Sequence, residues 1–221
     1  MDIKQLKFIP LDLPMFEHAE EIYKNFNPIR THNNWDVEPL TLGDQSLPLG
    51  NERPLGKSHP KLVEYIQKYL PFDDVYNLEI FRILPSVMEI KEHTDNSYLV
   101  GDPNCPKGND NMHITPEFLE HQLDTEPCGY RIMLYGDRTS LYYRINSNGK
   151  VGNGEIVHTY LPETTNSYVL QTYNSPHGVH MSDIDHGEFL RTVVFVLGKV
   201  NKEKHYELIN KSIAKYKDYI I

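Results

Sequence analysis

Residues 78–95, LEIFRILPSVMEIKEHTD, decide the fold that this sequence predicts. They contain two runs of mostly apolar, β-branched and aromatic residues, separated by a Leu-Pro-Ser turn signal. Runs of this composition favour short strands bounded by turns. The second run ends in His93 and Asp95, which stand one residue apart. The stretch therefore predicts two strands, the second with two metal-capable side chains at its end.

Strand-like runs continue along the chain as far as residue 198. They are YRIMLYG, TSLYYRI, GEIVHTYL, NSYVLQTY and FLRTVVFVLG, with turn formers such as NSNG and LPETTNS between them. No helical pattern alternates with these runs, and this favours an antiparallel sandwich or barrel over a parallel α/β sheet. We therefore expect a mainly β fold with flanking helices, in one domain that spans residues 1–221.

The N-terminal flank, residues 1–77, predicts two helices joined by an irregular link. In MFEHAEEIYKNF, residues 15–26, apolar side chains recur at helical spacing. HPKLVEYIQKYL, residues 59–70, has a proline where helices often begin. The segment between them is rich in turn formers. We therefore expect a helical and irregular flank before the β core.

Two further features lie outside the strand series. Residues 101–129 form a longer insertion, in which TPEFLEHQL predicts a short helix capped by Thr115. Residues 201–221 predict a charged C-terminal helix. Its apolar stripe comprises Tyr206, Ile209, Ile213 and Tyr216. The insertion directly follows the metal-capable pair, so we expect it to act as a lid over a substrate.

The composition excludes several classes of partner. The 221 residues carry a net charge of -9, which disfavours binding to a nucleic-acid phosphate backbone. No apolar run has the length of a membrane-spanning helix. The N-terminus predicts a strand and not a targeting peptide, and Cys105 and Cys128 lack the C-x-x-C spacing of a zinc knuckle. We therefore expect a cytoplasmic protein with free thiols, no membrane partner and no nucleic-acid partner.

A third partner for His93 and Asp95 is predicted in SPHGV, where His177 follows a turn. Arg191 lies fourteen residues further on, within an apolar strand. Residues i and i+2 of a strand share a face, so His93 and Asp95 are expected on one side. Two imidazoles and one carboxylate form the facial triad that leaves positions open on ferrous iron. A buried arginine needs an anion, and a dicarboxylate co-substrate would supply one.

Three alternatives remain at this stage. His180 also precedes the strand arginine, by eleven residues, and competes with His177 as the distal ligand. The H-x-D pair is also compatible with a surface turn in which Asp95 bonds its neighbours. Arg191 is also compatible with an edge position, paired with Glu188 or Asp185.

Taken together, these motifs resemble the iron(II)- and 2-oxoglutarate-dependent dioxygenases. The flanking residues are similar to the branch of aspartyl/asparaginyl β-hydroxylases and small proline hydroxylases. The resemblance covers roughly residues 78–200. The residues that carry it are Arg82, Pro85 and Ile90 leading into His93 and Asp95, then His177 in SPHGV, then Arg191.

The resemblance implies a fold and a ligand set. The fold would be a double-stranded β-helix, the cupin-like jelly roll, over residues 78–200. Fe(II) would bind His93, Asp95 and His177, and these would be the catalytic residues. Arg191 would hold the distal carboxylate of 2-oxoglutarate while the keto acid end chelates the metal.

The resemblance also suggests a role for Arg131 and a class of reaction. Arg131 would assist 2-oxoglutarate or the substrate, although a structural ion pair is the alternative. Met133 stands where the β-hydroxylases carry a second hydrogen-bonding side chain. The implied activity uses dioxygen to hydroxylate an unactivated carbon of an amino-acid side chain, with proline or aspartate/asparagine favoured, in a small molecule or a peptide.

Two other functions compete with this one. The first is a cupin-like metalloenzyme that does not use 2-oxoglutarate. The second is a β-sandwich ligand-binding module without catalytic activity.

Overall fold

The computed structural model of the protein describes residues 2–27, 30–31, 35–39, 59–83, 89–94, 120–121, 123–180 and 191–221. Its strands are β1 Phe8–Pro10, β2 Arg30–Thr31, β3 Trp35–Pro39, β4 Phe72–Ile83, β5 Glu89–His93, β6 Gly129–Gly136, β7 Leu141–Ile145, β8 Glu155–His158, β9 Ser167–Leu170, β10 His177–His180 and β11 Arg191–Val200. Its helices include α1 Ala19–Lys24, α2 Pro60–Tyr69 and α3 Lys202–Tyr216.

The strands form two antiparallel sheets. The larger sheet has the order β1-β9-β6-β11-β4-β3-β2, and the smaller has the order β5-β10-β7-β8. From β4 onward the chain passes back and forth between them, with β4, β6, β9 and β11 in the larger sheet and β5, β7, β8 and β10 in the smaller. This arrangement is a double-stranded β-helix, or jelly roll. The predicted fold class is confirmed.

Alternation along β11 shows how one strand serves two cores. Val194 and Val196 belong to a cluster that joins the larger sheet to the helices. Val193 belongs to a second cluster, which draws residues from both sheets, and Phe195 packs against that cluster. Because successive side chains of a strand point to opposite faces, the run TVVFV buries both faces of the larger sheet. The space between the sheets is the interior in which the candidate site lies.

The N-terminal flank contributes strands as well as helices. β1 joins one edge of the larger sheet, while β2 and β3 extend the opposite edge. Helix α2 begins at Pro60, as predicted, because the proline ring fixes a helical φ where no amide donor is needed. Its buried side chains are Leu62, Val63, Tyr65 and Ile66.

The C-terminal helix α3 buries a row that is partly polar. Ile209 and Tyr216 are buried as expected, but the other two buried positions are His205 and Ser212, and Tyr206 is only half-buried. His205 Nδ1 lies 2.7 Å from the Tyr130 hydroxyl. Each of these two polar residues has a partner from another part of the chain, since the Asp12 amide donates to Ser212 Oγ at 2.9 Å.

Most of the predicted insertion, including the proposed cap Thr115, lies outside the described residues. Cys128, at its end, is buried and forms no disulfide with a described residue. No helix within the described ranges is long and apolar enough to cross a membrane.

Candidate functional site

Two of the predicted ligands, His93 and His177, lie side by side in the smaller sheet. They are directly paired in the register of β5 and β10. Their ring centroids are 4.6 Å apart, and His177 is only 7% exposed. The buried ring of Tyr143, which pairs with His177 from β7, lies 5.7 Å from it on the other side. The His177 imidazole is therefore buried, and the His93 imidazole beside it is half-buried.

Both imidazoles have the same hydrogen-bond pattern. His93 Nδ1 lies 2.8 Å from the Lys91 carbonyl oxygen, and His177 Nδ1 lies 2.9 Å from the Ser175 carbonyl oxygen. A carbonyl can only accept, so each Nδ1 carries the proton and donates it. In the neutral imidazole, a proton on Nδ1 leaves the lone pair on Nε2, and a metal binds this tautomer through Nε2.

A bulge in β5 helps to turn His93 inward. Between His177 and Val179 the pairing advances two residues on β10, whereas β5 advances three, from His93 to Ile90. Ile90 packs against the cluster between the sheets, and strict alternation would place a residue three positions on at the opposite face. The extra residue restores His93 to the interior, as bulges commonly do near functional sites.

The bulge itself is held by an ion pair on the outer face. Arg144 Nε donates to Glu92 Oε2 at 2.5 Å, and the Gly152 amide donates to Glu92 Oε1 at 2.6 Å. Both partners of the carboxylate come from β7 and the turn that follows it. The end of β5 is thereby fixed to the β7–β8 hairpin.

The third predicted ligand, Asp95, lies outside the described residues. Within the part of the chain that the structure describes, no group of three His, Cys, Asp or Glu side chains is placed to hold a metal ion. The rival histidine, His180, is exposed at the far end of β10, and its amide donates to the Ser140 carbonyl at 2.8 Å. Of the two candidate distal histidines, His177 is the one beside His93.

Arg191 opens β11, a central strand between β4 and β6, and is 5% exposed. Its Nη1 donates to Ser140 Oγ at 3.1 Å, and its Nη2 donates to the Tyr168 hydroxyl at 2.6 Å. Among the described residues, no carboxylate forms an ion pair with it. Within the described ranges, two neutral hydroxyls orient the guanidinium and no anionic group compensates its charge, an arrangement that favours an anion. The edge position considered from the sequence is wrong, and the partners considered for it lie outside the described residues.

The guanidinium and the imidazole pair contact different residues of the segment that forms β7. Ser140, which contacts Arg191, precedes Tyr143, which neighbours His177, by three residues. At the rise of an extended strand this separation is about 10 Å. Tyr143 belongs to the same buried cluster as Tyr168. The arrangement suits an elongated ligand with a carboxylate at one end and metal-binding atoms at the other.

No sequence motif predicted a role for Tyr168 or Ser140. Tyr168 is one of 15 tyrosines, and nothing local distinguishes it from those that only pack. The pattern NSYVLQTY does predict a buried strand, and this limits the hydroxyl groups that could contact a buried arginine to few candidates.

Arg131 also faces the interior. Its register partners are Phe195 on β11 and Tyr168 on β9, and cross-strand partners share a face. Its guanidinium carbon lies 3.8 Å from the Phe195 ring centroid, and Nη1 donates to the Tyr130 carbonyl at 2.9 Å. Met133 is buried in the same interior. A cofactor role for Arg131 stays a prediction.

No family model matches the sequence, and no curated protein matches it. Among solved structures, the chain is similar to a prolyl hydroxylase in complex with a hypoxia inducible factor oxygen degradation domain peptide fragment from Trichoplax adhaerens. The two are 9% identical, with a TM-score of 0.40, over 93% of this chain and 87% of that one. The fold is defined by the strand order above, and the site by its own side chains.

Proposed function

We propose that this protein is an Fe(II)- and 2-oxoglutarate-dependent dioxygenase that hydroxylates an unactivated carbon. The observation that carries the proposal is the paired imidazoles of His93 and His177, each with its Nδ1 on a backbone carbonyl oxygen, in one sandwich with the buried Arg191. Asp95, two residues after His93, would complete a facial triad. The resemblance of the H-T-D and SPHGV motifs supports the same assignment.

The donor set fits ferrous iron. Two neutral imidazoles and one carboxylate suit Fe(II) and leave positions for a co-substrate and dioxygen. When bound, iron would supply the activation of dioxygen, coupled to the oxidative decarboxylation of 2-oxoglutarate. The contribution of His93 and His177 is to present Nε2 at fixed positions, because both Nδ1–H groups are held by backbone carbonyls.

Arg191 would bind the distal carboxylate of 2-oxoglutarate. Its guanidinium is held in place by Tyr168 and Ser140, so a carboxylate meets a donor that is already oriented. The surrounding buried apolar residues exclude water and strengthen that interaction. Arg131, on the same face of the sheet, would contact the co-substrate or the substrate.

The substrate would be an amino-acid side chain, free or within a peptide. The branch that the motifs resemble favours proline or aspartate/asparagine. Residues 101–129 would close over the substrate, since they follow the H-T-D motif directly. Hydroxylation there would consume dioxygen and release succinate and carbon dioxide.

The test is the anaerobic addition of ferrous iron and 2-oxoglutarate, followed by visible absorption spectroscopy. We expect the charge-transfer band of an iron–keto acid chelate in the wild-type protein. His177→Ala should abolish the band, whereas His180→Ala, which removes the exposed histidine of the same strand, should leave it intact. Absence of the band in the wild-type protein at saturating iron would contradict the proposal.

A further inference from the structure

The connection between β9 and β10, residues 171–176, carries the carbonyl that orients His177. The strand pairing of β9 ends at Leu170, and that of β10 begins at His177. Ser175, whose carbonyl accepts the Nδ1–H of His177, therefore lies outside the strand ladder. Its position depends on other hydrogen bonds. One comes from Lys7 near the opposite end of the chain and one from Gln171 in the same connection, while the next carbonyl, that of Pro176, accepts from the Arg144 amide.

The Ser175 side chain is 1% exposed and has two polar partners. Lys7 Nζ lies 2.9 Å from Ser175 Oγ, and that hydroxyl also bonds Gln171 Oε1. An ammonium can only donate, so Ser175 accepts from Lys7 and gives its single proton to the Gln171 amide oxygen. The buried hydroxyl thus accepts one hydrogen bond and donates its proton in another.

Lys7 and Gln171 are themselves fixed through backbone groups. The Gln171 amide donates to the Lys7 carbonyl at 2.9 Å, and Gln171 Nε2 donates to the Lys4 carbonyl at 2.5 Å. The Lys7 amide donates to the Ile221 carbonyl at 2.5 Å. Hydrogen bonds therefore hold the Lys7 backbone, and its half-buried ammonium reaches Ser175. The series of contacts from Lys7 through Ser175 to His177 is continuous.

We propose that Lys7 is a positioning residue that, through Ser175, holds the His177 imidazole in its metal-binding orientation. The inference rests on the proposed function, since it assigns His177 a metal. If the ammonium is lost, Ser175 loses its charged partner and the carbonyl that orients the ring is free to shift. Outer hydrogen-bond partners of metal-ligating histidines typically change metal affinity by about 10- to 100-fold.

The experiment compares Lys7→Met and Ser175→Ala with Lys4→Met in the full chain. Lys7→Met keeps most of the aliphatic stem and removes the donor. Lys4→Met removes an ammonium from the same segment, where it forms an exposed ion pair with Asp124. Titration with Co(II), followed by its visible absorption, should give roughly 10- to 100-fold weaker binding for the first two variants and wild-type binding for the third.

A second measurement needs no metal. In the metal-free protein, the Nδ1–H proton of His177 should give a slowly exchanging, downfield NMR signal, assigned by its loss in His177→Ala. Lys7→Met and Ser175→Ala should speed its exchange, whereas Lys4→Met should not.

The outcomes separate the two proposals. Wild-type Co(II) affinity and an unchanged His177 signal in Lys7→Met would overturn the positioning role, even if that variant unfolds at a lower urea concentration. If the wild-type protein binds no Co(II), the proposed function fails, and the NMR signal still decides whether Lys7 orients His177.

Discussion

At the scale of the residue, the guanidinium of Arg191 is one of two buried cationic groups that face the interior described above, with that of Arg131. It is buried, and its side-chain partners Ser140 and Tyr168 are neutral. Each of the two hydroxyls fixes one nitrogen, which leaves the remaining N–H groups to a ligand. On the proposed function, a charge held in this way would select a carboxylate by both sign and geometry.

Arg191→Met should weaken 2-oxoglutarate binding to the iron-loaded protein. Hydrogen bonds to a charged group contribute about 1.5–3 kcal/mol, so we expect a dissociation constant roughly 10- to 100-fold higher. Isothermal titration under anaerobic conditions measures it. Pyruvate, which has the same keto acid end but no distal carboxylate, should bind the variant and the wild-type protein equally. A variant that loses affinity for both ligands in equal measure would contradict the assignment.

His205 makes the stability of the fold depend on pH. Burial, and to a smaller extent the nearby His121, lowers the pKa of His205 from 6.5 to about 4. In the unfolded chain His205 therefore takes up a proton near pH 6.5, whereas in the folded chain it does so only near pH 4. The contribution of His205 to the free energy of unfolding is fully present above pH 6.5. It decreases as the pH falls towards 4, by up to roughly 3 kcal/mol.

Urea unfolding at pH 7.5 and pH 5 measures this loss. His205→Asn keeps a hydrogen-bonding nitrogen or oxygen near the Tyr130 hydroxyl but cannot titrate, so its stability should fall less between the two pH values. The stability of His158→Asn, which changes an exposed histidine, should fall as much as that of the wild-type protein. Equal pH dependence in all three proteins would exclude His205 as the cause.

At the scale of the element, the sequence predicted those strands whose length or apolar composition is distinctive without reference to a neighbouring strand. β6, β9 and β11 are long or apolar enough to stand out. β10, HGVH, has a glycine and two histidines in four residues, and it is a strand because it lies between β5 and β7. The β5 bulge likewise depends on its partner strand. Its effect on which face His93 occupies cannot be read from β5 alone.

Gly178 shows how closely β10 is fitted to its neighbours. A methyl group at this position would lie 2.6 Å from the Tyr142 hydroxyl oxygen and 2.9 Å from the Ile90 carbonyl oxygen. Gly178→Ala should therefore destabilise the protein by about 1–3 kcal/mol, measured by urea unfolding. In Gly178→Ala/Tyr142→Ala the first contact is removed and the second remains. The cost of adding the methyl group should then be smaller than in the Tyr142-containing protein, and strict additivity would contradict the contact.

At the scale of the whole molecule, the candidate site is assembled from segments far apart in the chain. β5, β10 and β11 each bring one of His93, His177 and Arg191 to the interior, and none of these contacts is local in sequence. The H-x-D spacing, the distal histidine and the strand arginine were predicted because each has a motif of its own. The support from Lys7 was not predicted, because only the folded chain brings the N-terminal segment beside Ser175.

The C-terminal segment connects to the same support. The Ile221 carbonyl accepts from the amides of Lys7 and Phe8, and the Ile221 amide donates to the Phe8 carbonyl. Deleting residues 217–221 removes these three bonds, each worth about 1 kcal/mol, so Tm should fall by roughly 6–12 °C. Because Lys7 is then held on one side only, Co(II) affinity should fall as well. Tyr219→Ala, which keeps the chain length, should retain that affinity. A lower Tm with unchanged affinity would show that the terminal contact supports the fold without reaching His177.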